Sequence, residues 1–273
     1  MKQATCNICP HQCVLEKNQT GFCRARKNVR GEIVSDNYGK VTSIALDPIE
    51  KKPLRRFFPG TRILSIGSFG CNLRCPYCQN HEISMSNALS THSDYLAPEK
   101  MLSLTLSCIS QGNIGLAFTY NEPLIGYEYV RDTARLIRDN NLQTVVVTNA
   151  YVLPDVFESL LPYISAFNID LKSFSEDFYR DISGDLKTVK DNIRLACKKN
   201  HVELTTLIIP GKNDDPENIA ALARWVSSIN PEIALHLTRF YPRYKMSHMN
   251  PTKLHTIHEL KAEAEKYLKH VYI

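Results

Sequence analysis

From about residue 61 the chain alternates short apolar runs with longer stretches in which apolar residues recur every three or four positions. The short runs, at 62–69, 114–120, 144–149, 165–172, 202–209 and 232–240, read as strands. The stretches between them read as amphipathic helices. Val130/Ala134/Ile137, Val189/Ile193/Ala196 and Ile219/Leu222/Val226/Ile229 each line one face, and the last opens with Asp215 as cap and Pro216 at the first helical position. Leu254/Ile257/Lys261/Ala264/Leu268 predicts a closing helix. Six strands alternating with helices predict a parallel α/β architecture.

The two faces of these strands choose between an open sheet and a barrel. Phe167/Ile169/Leu171 oppose Asn168/Asp170/Lys172, and Ile233/Leu235/Leu237 oppose Ala234/His236/Thr238. Gly115/Ala117/Thr119 form the second face of their run, which leads into Asn121-Glu122. Polar groups thus gather at the ends of four strands, at Glu122, Thr148-Asn149, Asp170/Lys172 and His236/Thr238. A sheet covered by helices on both sides has no use for a polar face, whereas a barrel collects its chemistry at the C-terminal strand ends. The expected fold is a partial (β/α)6 TIM-like barrel, whose six strands leave the wall open to a large substrate. Residues 1–60 read as a small cysteine-rich extension, 61–245 as the barrel core, and 246–273 as a helical segment packed on the core.

Composition narrows the setting. The formal charge of +5 over 273 residues is spread along the chain, with modest clusters at Arg24/Arg26/Lys27/Arg30 and Lys51/Lys52/Arg55/Arg56. That suits an acidic or phosphorylated ligand and does not indicate nucleic acid. No apolar run reaches membrane-spanning length and the N-terminus lacks a signal-peptide plan, so the expectation is a cytoplasmic protein without a membrane. In that compartment nine cysteines are metal ligands, nucleophiles or core residues rather than disulfides. Cys108 and Cys197, on helical faces, read as core packing.

The other seven form two sets. Cys71, Cys75 and Cys78 lie in GCNLRCPYCQN, spaced C-x3-C-x2-C, directly after the first strand. A structural zinc asks for a fourth ligand, for which only His81 is near. A catalytic zinc on one all-cysteine loop is uncommon outside deaminases, whose H-x-E signature is absent here. An iron–sulfur cube on three thiolates keeps one iron free for another ligand, and this spacing in a strand-then-loop context favours it.

CNLRCPYC, with Tyr77 just before the third cysteine, resembles the signature of radical S-adenosylmethionine (SAM) enzymes. The resemblance implies a [4Fe-4S] cluster on Cys71, Cys75 and Cys78 whose open iron chelates the methionine end of SAM. One electron then splits SAM to methionine and a 5'-deoxyadenosyl radical. Further matches follow the glycyl-radical-enzyme activases. Asn121-Glu122 stands at the Gly-Gly-Glu position, with Glu122 as acceptor for the SAM ammonium but without the glycines. Thr148 and Asn149 match a D-T-N-G motif, with Val147 in place of its acid. Asp170 and Lys172 match D-x-K, and His236 a histidine near the adenosine.

CNICPHQC...GFCRAR, DPIEKKPLRRFFPG, FTYNEP and LHLTRFYP together are similar to the radical SAM member of the AmmeMemoRadiSam system. Arg56 and Ala150 depart from it, where histidine and glycine are common. That resemblance implies Memo-like and AMMECR-like partner proteins and an electron donor such as flavodoxin or ferredoxin.

The second set, Cys6, Cys9, Cys13 and Cys23, supplies four ligands for a second metal centre, either zinc or an Fe-S cluster. Three functions are carried forward. The first is a radical SAM oxidoreductase abstracting hydrogen from a small-molecule or protein substrate. The second is an activase installing a glycyl radical on a partner enzyme, and the third is a non-catalytic zinc-binding interaction protein.

Overall fold

The structure is a computed structural model that describes residues 2–273. Its centre is one eight-stranded sheet. The spatial order is Ser43–Pro48, Arg62–Gly67, Asn113–Phe118, Gln143–Thr148, Ala166–Asp170, His201–Ile208, Ala234–Arg239 and Val271–Tyr272. The six inner strands are parallel, and each is one of the six expected, with ends moved by no more than two residues. Val271–Tyr272 adds in parallel to the last of them, while Ser43–Pro48 runs antiparallel along the first.

The expected helices cover the outer face. Tyr127–Asp139 buries Val130, Ala134 and Ile137, and Leu186–Cys197 buries Val189, Ile193 and Ala196. Pro216–Ile229 starts where expected, with the Asp215 carboxylate accepting from the N–H groups of Glu217 and Asn218. Cys108 and Cys197 pack against the core as partly buried side chains, and burial pushes the Cys197 thiol up to about 11. Among the described residues no helix is long and apolar enough to cross a membrane.

The inner face differs at its base from the sequence expectation. Ile63, Ala117, Val145 and Ala166, one from each of the first four barrel strands, form a buried cluster with Ile49, Leu54 and Phe57. Residues 49–57 therefore fill the N-terminal end of the half-barrel, where each large apolar side chain contributes roughly 1.5–3 kcal/mol by burial. Polar contacts fix the same segment: Asn168 Nδ2 donates to the Pro53 carbonyl (2.8 Å), and Lys52 Nζ pairs with Asp47 (2.9 Å).

This corrects the expected boundary at residue 60. Ser43–Pro48 matches the first barrel strand over six residues, from Ser43↔Gly67 to Pro48↔Arg62, so 43–60 belong to the barrel. The sequence grouped them with the extension because a single edge strand has no helix after it to mark it as part of the alternation. What precedes residue 43 is built of short antiparallel pairs, Ala4–Thr5 with Val14–Leu15 and Arg26–Val29 with Glu32–Ser35.

Candidate active site

The loop after the first barrel strand carries Cys71, Cys75 and Cys78 into a cavity of about 420 Å³ at the C-terminal strand ends. The wall also takes Tyr77, Asn121, Glu122, Thr148, Asn149, Asp170 and Lys172, so seven of the eight residues expected to contact a cofactor are brought together. Thr205 and Arg239 line it too. The volume lies in the range of small-molecule sites. Burial pushes the Cys71 and Cys75 thiols above their usual range, with the Glu122 charge adding to the effect at Cys71.

Glu122 is the most enclosed carboxylate of the wall. Its Oε1 accepts from the Thr148 hydroxyl (2.7 Å) and the Leu124 N–H (2.9 Å), and its Oε2 from the Asn149 N–H (2.7 Å). Burial drives its pKa up to about 7, against the pull of those three donors, and the nearby Asp170 pushes the same way. A cation entering the cavity would therefore meet a carboxylate prepared for it. Across the cavity Lys172 Nζ sits 2.7 Å from Asp170 Oδ2. Burial works against the ammonium, but the Asp170 charge outweighs it and raises the pKa above the usual lysine value.

Asn121 plays a different part from the one expected. Its Nδ2 donates to the Phe69 and Gly70 carbonyls (3.2 and 3.1 Å), and its Oδ1 accepts from the Ser68 N–H (3.0 Å). The amide is spent on holding the cysteine loop. Asn149 braces it from the other side, donating to Asn72 Oδ1 (3.0 Å) and approaching Cys71 Sγ (3.7 Å). The Tyr77 hydroxyl is buried at the cavity wall without a hydrogen-bond partner.

His236 is a correction. It does not line the cavity; it donates from Nε2 to Glu203 (2.6 Å) and stacks on Tyr272 at 5.3 Å. The strand does point it inward, but its ring is taken up by the buried Glu203, and Thr238 and Arg239 from the same strand reach the mouth instead. Sequence reasoning did not place Lys51, Pro53 or Tyr120 at this site, where they also line the wall, although Lys51 belongs to a basic cluster suited to an acidic ligand. Lys51 and Pro53 come from the segment assigned to the extension, and their proximity to a D-P-I-E run offered no signal of its own.

The N-terminal cysteines lie against this loop. The Cys71 N–H donates to the Cys23 carbonyl (3.1 Å), and His11 Nε2 donates to the Asn72 carbonyl (2.8 Å). Gly70, at φ +88°, makes the close approach possible, since a Cβ there would lie 2.5 Å from the Cys23 oxygen. Gly70→Ala is expected to lose about 1–2 kcal/mol to the left-handed backbone alone, with the clash added. Thermal unfolding together with limited proteolysis of residues 1–42 checks this, and an unchanged melting temperature with an unchanged cleavage pattern counts against the contact.

Cys6, Cys9 and Cys23 are buried and Cys13 is half-buried. Burial pushes the Cys9 thiol up to about 12. Among the described residues no group of three His, Cys, Asp or Glu side chains is drawn together as for a single metal ion, and this holds alike for the N-terminal set and the loop set. His81 does not line the cavity; its ring stacks on Tyr244 at 4.4 Å. The donor set at the cavity is thus three thiols with no fourth cysteine or histidine among the described residues, facing one carboxylate and one ammonium. This fits a three-thiolate cluster with an open position and a zwitterionic ligand upon it.

Comparison with known proteins agrees. The family model described as the radical SAM superfamily matches residues 65–223. An uncharacterized protein of Methanocaldococcus jannaschii is 36% identical over 272 residues, covering 98% of this chain and 80% of its own length. The pyruvate formate-lyase-activating enzyme of Clostridium pasteurianum is 26% identical over 211 residues, covering 73% of this chain and 87% of its own. Among solved structures, Streptococcus suis SuiB bound to S-adenosylmethionine superposes with a TM-score of 0.59 at 11% identity, over 77% of this chain and 50% of SuiB.

Proposed function

The chain belongs to the radical SAM superfamily, and we propose that it is an oxidoreductase that cleaves SAM at a [4Fe-4S] cluster held by Cys71, Cys75 and Cys78. What carries the reading is that the three thiols, Glu122 and the Asp170–Lys172 pair open onto one cavity. Cys71, Cys75 and Cys78 would hold the cluster, which when reduced and loaded with SAM would supply one-electron cleavage of the sulfonium S–C5' bond to methionine and a hydrogen-abstracting 5'-deoxyadenosyl group.

The chain's own residues supply position and charge. Glu122, already fed by three donors, accepts from the SAM ammonium, and Lys172 donates to the carboxylate, with Asp170 holding the lysine. Tyr77 closes the wall beside Cys75, and its free hydroxyl is available to the bound cofactor. Thr148 and Asn149 keep Glu122 oriented, so they act through it. Lys51, Thr238 and Arg239 line the part of the cavity left for substrate, and the two cations there suit a substrate with an acidic group. The N-terminal cysteines are read as a second metal centre, of zinc or of iron and sulfide. A one-electron protein donor such as flavodoxin or ferredoxin and Memo-like and AMMECR-like proteins are the proposed partners.

Anaerobic reconstitution with iron, sulfide, SAM and dithionite is expected to yield 5'-deoxyadenosine and methionine, measured by liquid chromatography and mass spectrometry. Absence of both products would sink the reading. A second reading is favoured by the relatives that are pyruvate formate-lyase-activating enzymes: installation of a glycyl radical on a partner enzyme. It requires a glycyl doublet in electron paramagnetic resonance (EPR) spectra when a candidate glycyl-radical enzyme is added. Nucleoside formation without the doublet leaves only the first.

A further inference from the structure

We infer that Arg239 selects the substrate that shares the cavity with SAM, and that the class it selects is a small molecule whose apolar body ends in a carboxylate or a phosphate monoester. The inference rests on the SAM-cleaving function proposed above. The wall sets the cations of Lys51, Lys172 and Arg239 against the carboxylates of Glu122 and Asp170. Lys172 is engaged by Asp170, 2.7 Å away. Among the described residues Arg239 has no carboxylate partner; its half-buried guanidinium bonds only to neutral oxygens. Nε donates to the Thr252 carbonyl (2.8 Å) and Nη1 to the Tyr241 hydroxyl (3.3 Å), and the Tyr241 ring lies 5.1 Å from it. These contacts hold the group in place without neutralising it. Thr252 is itself buried and locked. Its N–H donates to the Phe240 carbonyl (3.1 Å), and its hydroxyl accepts from the Phe240 N–H (3.2 Å) and donates to the Ile208 carbonyl (2.6 Å). A fixed guanidinium with Nη2 to spare is suited to the oxygens of a carboxylate or phosphate, and holding it beforehand removes part of the ordering cost of binding.

Position separates this cation from the one read as meeting the SAM carboxylate. Arg239 ends the strand Ala234–Arg239, Lys172 follows the strand Ala166–Asp170, and His201–Ile208 lies between the two. Two strand spacings set their backbones roughly 10 Å apart, so they serve different ligand groups. The surface between them is apolar at the mouth. Leu207 stands across from Thr238 in register, one residue before the Ile208↔Arg239 pair, and lines the cavity together with Val147. A ligand anchored on Arg239 therefore lays an apolar body along the wall toward the reacting end of the cavity. Elsewhere on the wall Lys51 adds a charge that is only partly answered. The Asp47 carboxylate serves Lys51 (3.2 Å), the buried Lys52 (2.9 Å) and the Tyr120 hydroxyl (2.8 Å), so one anion is shared by two cations. SAM brings a sulfonium of its own. The loaded cavity is thus positive, and an anion is the substrate charge that it favours.

The test is isothermal titration calorimetry of the full chain, reconstituted anaerobically and loaded with SAM, with phenylacetate, phenyl phosphate and the neutral phenylacetamide as probes. At least one of the two anions is expected to bind and the amide to show no binding; the tighter anion tells a carboxylate substrate from a phosphate one. Arg239→Gln is expected to weaken the anion roughly ten- to hundredfold, and Lys51→Gln by no more than about fivefold, because Asp47 already answers part of its charge. Arg239→Lys keeps the charge without the bond to Thr252 and should restore most of the binding, with both Arg239 variants melting within about 4 °C of wild type. Anion affinity unchanged in Arg239→Gln, amide binding as tight as that of the anions, or no binding of any probe overturns the inference. Arg239→Lys binding as weakly as Arg239→Gln, with the melting temperature of both well below that range, makes the residue a structural pin and overturns it too. Formation of 5'-deoxyadenosine from SAM by the wild-type chain is read separately in the same preparation. Its absence removes the proposed function itself, so the two failures are distinct.

Discussion

Cys75→Ala is expected to abolish 5'-deoxyadenosine formation completely while leaving the fold intact. Cys75 is a buried side chain of the cavity wall, and removing its sulfur leaves two thiolates where a cube of this type takes three. As a small apolar group, the lost thiol costs the packing little. The iron held at the loop should go with it, along with the EPR signal that responds to SAM. Cys108→Ala is the control, since Cys108 lies at the end of the helix Pro98–Ser107 and packs only on the core. Absorbance near the cluster charge-transfer band, iron per chain and product formation should all fall for Cys75→Ala and none for Cys108→Ala. SAM cleavage by Cys75→Ala at the wild-type rate would remove the loop as the cluster site.

The result also separates the loop from a zinc site. A zinc knuckle completed by His81 would make His81→Ala as damaging as Cys75→Ala. The structure turns the His81 ring onto Tyr244 and away from the cavity, so His81→Ala is expected to keep the cluster.

How far these residues were legible in the sequence depended on whether local pattern and distant contact agreed. The six parallel strands and their helices were readable because each repeats one local rule, an apolar run followed by a stripe at helical spacing. The cavity residues followed from the same alternation, since every second residue of a barrel strand faces inward. What occupies each inward side chain was not readable. His236 and Thr238 share a face, but only Thr238 reaches the mouth, because the His236 ring is taken up by the buried Glu203. Asn121 failed differently: its motif position suggested a cofactor contact, while both ends of its amide are occupied by the loop backbone. Nor did any local signal show that residues 49–57 turn back into the barrel, since that depends on partners more than a hundred residues away, Glu203 among them.

Glu203→Gln should accordingly destabilise the chain more than any other single polar change at the barrel base. The Glu203 side chain is fully buried and accepts four donors: His201 (2.9 Å), His236 (2.6 Å), and the N–H groups of Arg55 (3.0 Å) and Arg56 (2.8 Å). Burial would raise its pKa, but these four donors outweigh it and hold the group down at about 2, from an ordinary 4.5. A carboxylate depressed on folding stabilises the fold at pH values above 4.5, and that contribution is lost as pH falls through the window from 4.5 to about 2. At 1.36 kcal/mol per pKa unit it amounts to about 3 kcal/mol. The amide that replaces the carboxylate has a single acceptor oxygen and sets its own NH2 against donors, so the variant is expected to lose roughly 3–5 kcal/mol. For a chain of this size that is a fall of about 10 °C in melting temperature. The acid-unfolding profile should flatten between pH 4.5 and 2, because the group that titrates there is gone. Because the same carboxylate pins the segment that brings Lys51 and Pro53 to the cavity, substrate binding should weaken along with stability. Urea unfolding at pH 7 and at pH 3 checks both parts: a Glu203→Gln chain as stable as wild type at pH 7 would show that the barrel base is held by apolar packing alone.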